Sequence, residues 1–383
     1  MLIIVTGGGT GGHVYPGLAI SARLLGSYAG ATILFIGSSS GPEGVAARGA
    51  GIPFEGLRLS GLVGKNPFER ARSVVQFARG TARCLRLFRR LKPVCVVGTG
   101  GYAAAPACFA ASISRVPLLL HEMNYRPGLV TRLLARSACA VACAHGETAA
   151  MLPSGARVVV TGVAVRPEVE ALRDEGRRRV ARDEALEAFG VRADRKTLLV
   201  FGGSQGAEAL NTAVWEALPR LRDSGDLQVI HLTGRRDFAD SRRAEVEKEI
   251  SGSALIYRAL AYWERMELVY AVADLAVTRA GAGTIAELSA AGVPAVLVPF
   301  PHATEGHQES NAEQLVATGA AVIERQRDGS AGSAVARAIR LIHDRGSLER
   351  MLEAASGLGQ ADSAQGIVDL IKEQAFGGRG AIA

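Results

Sequence analysis

At 383 residues the chain is too long for one ordinary core and fits two domains, given a usual domain size of about 150 residues. Only 5% of residues are aromatic, which excludes broad base-stacking surfaces, and the five cysteines contain no CxxC pair, which argues against zinc, a dithiol redox motif or a disulfide framework and fits a reducing compartment. The net charge of +7 conceals an asymmetry: residues 1–165 carry 17 Lys and Arg against 5 Glu and no Asp, and the remainder carries 27 basic against 32 acidic residues, so the partner that needs basic residues belongs to the first half.

The chain opens LIIVTGGGTGGHVYPG, a buried strand followed by a bare glycine turn and a helix-compatible run from Pro16, with His13 at the edge of the turn. Such a turn is expected to expose backbone N–H groups to an anion. Gly7, Gly9 and Gly12 satisfy GxGxxG in this setting, the dinucleotide fingerprint. A ribose-binding acid is expected at the end of the next strand, ATILFIG (31–37), but that strand runs into SSSG, and the nearest arginine for a 2′-phosphate is Arg48. The oxidoreductase reading is therefore weak.

The segment 65–92 holds nine basic residues against one acid, Glu69. As a helix over 67–91 it places Arg72, Arg79, Arg83, Arg86 and Arg90 on one stripe, beside an apolar face of Val74, Phe77, Cys84, Leu85, Phe88 and Leu91, with Leu62, Val63 and Phe68 just upstream. Such a helix suits an anionic membrane surface, and equally an ordinary helix with solvated arginines. Apolar strands follow at VCVVG (94–98), VPLLLHE (116–122) and ARVVVTG (156–162), and a hinge is placed near GVAVRP (162–167).

After a charge-rich helical stretch (167–195), TLLVFGGSQGAEALN repeats the opening plan of strand, glycine turn and helix about 195 residues on. Strands LQVIHLTG (227–234), DLAVTRAG (274–281) and PAVLVPF (294–300) complete a second parallel sheet, and 363–374 reads as an amphipathic helix before a frayed glycine-rich tail. Ser204 and Gln205 sit at the second glycine turn, where a hydroxyl and amides meet a phosphate. Ala282, Gly283 and Thr284 begin another helix, with Glu287 one turn in, where a carboxylate can accept two ribose hydroxyls. His307 and Gln308 start a third, with groups suited to sugar hydroxyls. Together they describe a nucleotide-sugar site, although each alone reads as packing or as a first-turn charge worth about 0.3–1 kcal/mol.

TGGGTGGHVYPGLA, GTGGYAAAP, HEMN, GVAVR, GGSQGA and the RAGAGTIAE…PFPH…HQ…NA series, in this order from residue 2 to about 320, resemble the MurG family of bacterial UDP-N-acetylglucosamine:lipid I N-acetylglucosaminyltransferases. The resemblance implies a GT-B fold of α/β class, two Rossmann-like parallel-sheet domains facing across a cleft: 1–165, joined by a returning C-terminal helix at about 361–376, and 166–360. It implies that Ser204 contacts the diphosphate, Arg166 reaches the nucleotide, main chain at Trp263 reads uracil and Glu287 holds the ribose. Gln308, His307 and Asn124 would hold GlcNAc, and Thr10, Gly11 and Gly12 would close on the sugar and diphosphate. The chain departs from the family pattern at Met123, at Val163–Ala164 and at Trp263.

The implied reaction joins the muramyl C4 hydroxyl of lipid I to GlcNAc C1 with inversion and so needs a base, for which His13 is the first candidate and Glu122 the reserve. No DxD occurs in the sequence and no cofactor is expected, so helix N-termini must carry the leaving-group charge. The implied partners are UDP-GlcNAc, lipid I and an anionic membrane surface, with no nucleic acid; the implied location is peripheral, on the cytoplasmic face of the inner membrane. A UDP-GlcNAc 2-epimerase of the same architecture is the alternative, lacking any need for a lipid face.

Overall fold

The computed structural model describes residues 1–61, 66–203, 206–303, 306–326, 330–359 and 362–376. The chain divides into two compact units, Met1–Arg166 with Gln360–Ala383, and Pro167–Gly359. Each is built on a wholly parallel sheet.

The first unit contains β1 (Leu2–Thr6), β2 (Thr32–Ser38), β3 (Phe54–Leu57), β4 (Cys95–Gly98), β5 (Leu118–Glu122), β6 (Ala140–Cys143) and β7 (Val158–Val160), in the order β3-β2-β1-β4-β5-β6-β7. Because side chains alternate across a strand, Ile3 and Val5 point to one face and Ile4 to the other, and both faces need cover. Ile3 and Val5 pack with Ile20 and Leu24 of the helix Gly11–Ser27 and with Ile367, Val368 and Ile371 of the helix Ser363–Phe376. Arg157 to Glu373 at 2.8 Å and the pair Arg23–Asp362 tie that last helix down. Ile4 packs with Cys84 and Phe88 of the helix Pro67–Leu91 and with Ala107 and Ala111 of the helix Ala105–Ser114.

The second unit contains β8 (Lys196–Phe201), β9 (Leu227–Leu232), β10 (Ile256–Leu260), β11 (Leu275–Thr278), β12 (Ala295–Leu297) and β13 (Ala321–Ile323), ordered β10-β9-β8-β11-β12-β13. Leu198 and Val200 of β8 pack with Leu210 and Val214 of the helix Glu208–Ala217 and with Val335 and Ala338 of the helix Gly332–His343. Two parallel-sheet α/β domains are what the strand pattern predicts. Four short strands, β3, β6, β10 and β13, escape that pattern. The first helix also begins at Gly11 and not at Pro16, which lies inside it without a backbone N–H to donate.

Candidate active site

In each unit the strand order reverses beside the first strand, between β1 and β4 and between β8 and β11, and open parallel sheets bind ligands beyond the carboxyl ends of strands at such points. Thr10, Gly11, Gly12 and His13 follow the carboxyl end of β1, and Ala282, Gly283, Thr284 and Glu287 follow that of β11.

In the first unit Thr10 caps the helix in extended conformation (φ −144°, ψ 159°), but its hydroxyl makes no capping bond. Thr10 and Gly12 are exposed and Gly11 is buried. His13 is half-buried, with Nδ1 3.0 Å from the Thr99 carbonyl oxygen, while Thr99 Oγ1 donates to the His13 carbonyl at 2.6 Å. A carbonyl only accepts, so the Nδ1 proton is assigned by this bond and the lone pair of the neutral ring lies on Nε2. Gly101 (φ +77°) permits this contact between turns, since a Cβ there would overlap the Gly8 oxygen. The expected anion nest is partly closed: Gly8 N–H donates to Gly100 O at 3.3 Å and Gly9 N–H to the Glu43 carboxylate at 2.6 Å.

Glu122 is 5% exposed and accepts four hydrogen bonds. Asn124 N–H and Asn124 Nδ2 donate to Oε1, both at 3.1 Å, and Gly128 N–H (2.9 Å) and Thr131 Oγ1 (2.6 Å) donate to Oε2. A carboxylate so committed does not suit the reserve base role; it fixes the loop from Met123 to Gly128 and orients the Asn124 amide. Neighbouring His121 donates from Nδ1 to Ala142 O (3.1 Å) and accepts from Ala164 N–H (3.4 Å), and burial pulls its pKa down to about 4. Met123 is 2% exposed. The Arg166 guanidinium lies 4.4 Å from the Tyr15 ring centroid, in the first unit and one residue before the division.

In the second unit Ser204 and Gln205 lie outside the described residues. Ala282, Gly283 and Thr284, all half-buried, begin the helix Ala282–Ala291, and Glu287 on its second turn is 7% exposed. Tyr270 Oη donates to Glu287 Oε2 at 3.0 Å and so fixes the carboxylate. Gln308 accepts at Oε1 from Ala280 N–H (3.2 Å) and Phe300 N–H (2.9 Å). Two donors can only face the oxygen, so the Gln308 –NH2 group, which has no partner among the described residues, is presented as a pair of donors. His307 is the first residue of the helix His307–Ala317. The Trp263 ring stands edge-on to Phe189 with centroids 4.9 Å apart.

The basic helix Pro67–Leu91 has a full capping box, Asn66 accepting from Glu69 N–H and Glu69 accepting from Asn66 N–H. Arg72, Arg79, Arg83 and Arg86 are exposed, and Arg83 pairs with Glu55 at 2.5 Å. The apolar face is narrower than the sequence suggests. Phe88 is 3% exposed and so is not available to lipid, because this side of the helix covers the sheet and its neighbour helix, and half-buried Phe77 packs edge-on against Phe109 (5.3 Å). Phe68 (81% exposed), Val74 and Val75 are available, whereas Leu62 and Val63 lie outside the described residues. No helix among the described residues is long and apolar enough to cross a membrane.

Three contributors escape the sequence reading. Thr99 sits in GTGG, a motif with no partner marked in sequence, and Tyr270 lies 17 residues from Glu287 on another helix. Arg279 is 9% exposed three residues before the helix at Ala282; it donates to Val298 O (3.1 Å) and Gln326 Oε1 (2.9 Å), and burial lowers its pKa to about 10, leaving it a cation at neutral pH.

Residues 3–143 match the glycosyltransferase family 28 N-terminal domain and residues 197–368 its C-terminal domain. A UDP-N-acetylglucosamine–N-acetylmuramyl-(pentapeptide) pyrophosphoryl-undecaprenol N-acetylglucosamine transferase of Moorella thermoacetica is 37% identical over 375 residues, 97% of this chain and 98% of that protein. A Halothermothrix orenii protein of the same name is 35% identical over 98% of this chain and 100% of its own. The crystal structure of Acinetobacter baumannii MurG superposes with a TM-score of 0.69 at 29% identity, covering 97% of this chain and 99% of that one. A UDP-GlcNAc 2-epimerase from Neisseria meningitidis superposes with a TM-score of 0.64 at 14% identity, covering 97% of this chain and 100% of that one, a likeness of fold alone. The chain belongs to glycosyltransferase family 28 and, within it, to the MurG family of N-acetylglucosamine transferases.

Proposed function

We propose that this protein transfers GlcNAc from UDP-GlcNAc to the C4 hydroxyl of the MurNAc in lipid I, with inversion, giving lipid II for peptidoglycan synthesis and, through it, cell shape and division. The observation that carries the reading is the match to transferases of that name over 97% of the chain, a span that includes both groups of polar residues described above. In this reading Glu287 takes the ribose, Gln308, His307 and Asn124 the GlcNAc, and main chain at Trp263 the uracil. Ser204, Gln205, Arg166 and the amides at Ala282, Gly283 and Thr284 take the diphosphate, with Thr10, Gly11 and Gly12 closing on sugar and diphosphate.

His13 Nε2 removes the proton of the C4 hydroxyl as that oxygen forms the bond to C1. The C1–O bond to the β-phosphate breaks with its electron pair going to the departing UDP. Each preorganised donor on that diphosphate contributes about 2.7–4 kcal/mol, by analogy with oxyanion-hole donors that have been removed. The Nδ1–H bond to Thr99 O supports the base role because it fixes the tautomer with Nε2 unprotonated. The acceptor's lipid tail belongs in a bilayer, so the exposed arginines of Pro67–Leu91, with Phe68, are assigned to peripheral docking on the anionic cytoplasmic face of the inner membrane, at about 1 kcal/mol per basic residue.

Incubation with UDP-GlcNAc and a lipid I analogue, with EDTA present, tests the reading. GlcNAc-bearing lipid product and UDP are expected. ManNAc and UDP without lipid product would instead establish an epimerase.

A further inference from the structure

Glu43 is 0% exposed, yet its carboxyl group lies against the glycine turn that precedes His13. Oε1 accepts Gly9 N–H at 2.6 Å, and Oε2 has no hydrogen-bond partner among the described residues. A buried polar oxygen left unsatisfied is costly, so its retention calls for a reason. Space for the side chain is made by glycines. A Cβ at Gly8 or Gly41 would overlap the carboxyl group, and one at Gly37 would come within 2.9 Å of Cγ. On its other side the turn is bonded to Gly100 through Gly8 N–H, and a Cβ at Gly9 would meet the Tyr102 ring at 2.5 Å. The turn, with φ +150° at Gly8 and +90° at Gly9, is thus gripped between Glu43 and the turn after β4, and it leads directly into Thr10 and His13.

We propose that Glu43 is a positioning residue for the transfer reaction: its carboxyl group takes the place at Gly9 N–H that a phosphate takes in dinucleotide-binding turns, and so sets the position of Thr10 and His13. The proposal rests on the transferase reading above. Gly8 and Gly9 are the residues with most conformational freedom to lose, and without the short bond to Oε1 the turn samples other shapes. Displacing a catalytic group by about 1 Å can cost on the order of a hundredfold in rate.

The test uses the full chain with Glu43→Ala, Glu43→Gln and Gly41→Ala. Gly41 does not have a positive φ, so alanine there suits the backbone and evicts the carboxyl group without removing it. Glu43→Ala is expected to lower kcat at least about tenfold and to speed amide exchange across residues 7–13. Glu43→Gln, whose amide oxygen can still accept Gly9 N–H, restores most of the rate. Gly41→Ala reproduces the loss in the wild-type background and adds nothing in Glu43→Ala. Wild-type kcat, or unchanged exchange, in Glu43→Ala would overturn the proposal. If the wild-type chain makes no transfer product, the functional reading fails, and the exchange measurement still decides whether Glu43 holds the turn.

Discussion

Glu122→Gln separates a loop-fixing carboxylate from a catalytic base. The side chain is 5% exposed and receives four donors, two on each oxygen. Glutamine can keep its oxygen toward the two Asn124 donors, which turns its –NH2 toward Gly128 N–H and Thr131 Oγ1. The threonine hydroxyl can rotate and accept, but Gly128 N–H is left facing another donor. One charge-assisted bond lost is worth about 1.5–3 kcal/mol, and a buried unsatisfied donor costs about 1–3 kcal/mol, overlapping terms that together give about 2–4 kcal/mol. The loss falls on the loop between β5 and the helix Leu129–Leu134, since the sheet itself keeps its bonds. Amide exchange over residues 124–131 is therefore expected to accelerate by about thirtyfold to several hundredfold, at roughly 1.4 kcal/mol per tenfold. Exchange is measured by mass spectrometry at neutral pH, together with the pH profile of kcat. A loop-fixing role predicts faster exchange and a retained acidic limb in that profile. Unaltered exchange with activity abolished and the acidic limb gone would refute the reasoning and return Glu122 to the base role.

His231, buried in the second unit between Tyr257 and Asn211, has its pKa pulled by burial to about 3, and His121 in the first to about 4. Both bind protons better unfolded, so stability is full above the unfolded value near 6.5 and falls with pH below it, by about 1.4 kcal/mol per histidine at pH 5.5; a urea midpoint flat from pH 7.5 to 5 contradicts this. Tyr270→Phe removes the donor to Glu287 and is expected to raise the KM for UDP-GlcNAc about five- to thirtyfold with kcat within twofold, so an unchanged KM assigns Tyr270 to packing alone. Reversing Arg79, Arg83 and Arg86 to Glu should weaken binding to anionic vesicles at least about a hundredfold and remove its salt dependence, as read by co-sedimentation. Phe68→Ala should weaken the same binding at unchanged thermal stability, whereas Phe88→Ala should cost about 3–5 kcal/mol of stability by opening a core cavity.

The long elements are legible because several local signals agree on each. The helix Pro67–Leu91 has Asn66 and Glu69 as a capping box, Pro67 at its first position and 25 residues of pattern. The strand β6 is only AVAC, too short and too rich in alanine to announce itself, and β3 and β10 are edge strands whose polar residues break the apolar run. At the site, residue types are readable but directions are not. Glu122 ends a strand, where a base could stand, and only the fold of the next nine residues shows its lone pairs spent. Glu43, at the start of the helix after the second strand, turns its carboxylate onto Gly9 N–H, a contact that no spacing rule reveals. The apolar face beside the arginine stripe is only partly legible for a related reason: a helix face read alone cannot say which part of it the sheet claims, and here the sheet takes Cys84 and Phe88.

The most direct measurement is single-turnover GlcNAc transfer by His13→Ala, with UDP-GlcNAc affinity measured on the same preparation by calorimetry. General-base loss predicts a rate lower by about 10²–10⁴-fold at unchanged donor affinity. Turnover near that of the wild-type chain, with the donor still bound, would contradict the assignment of the reacting proton to Nε2 of His13.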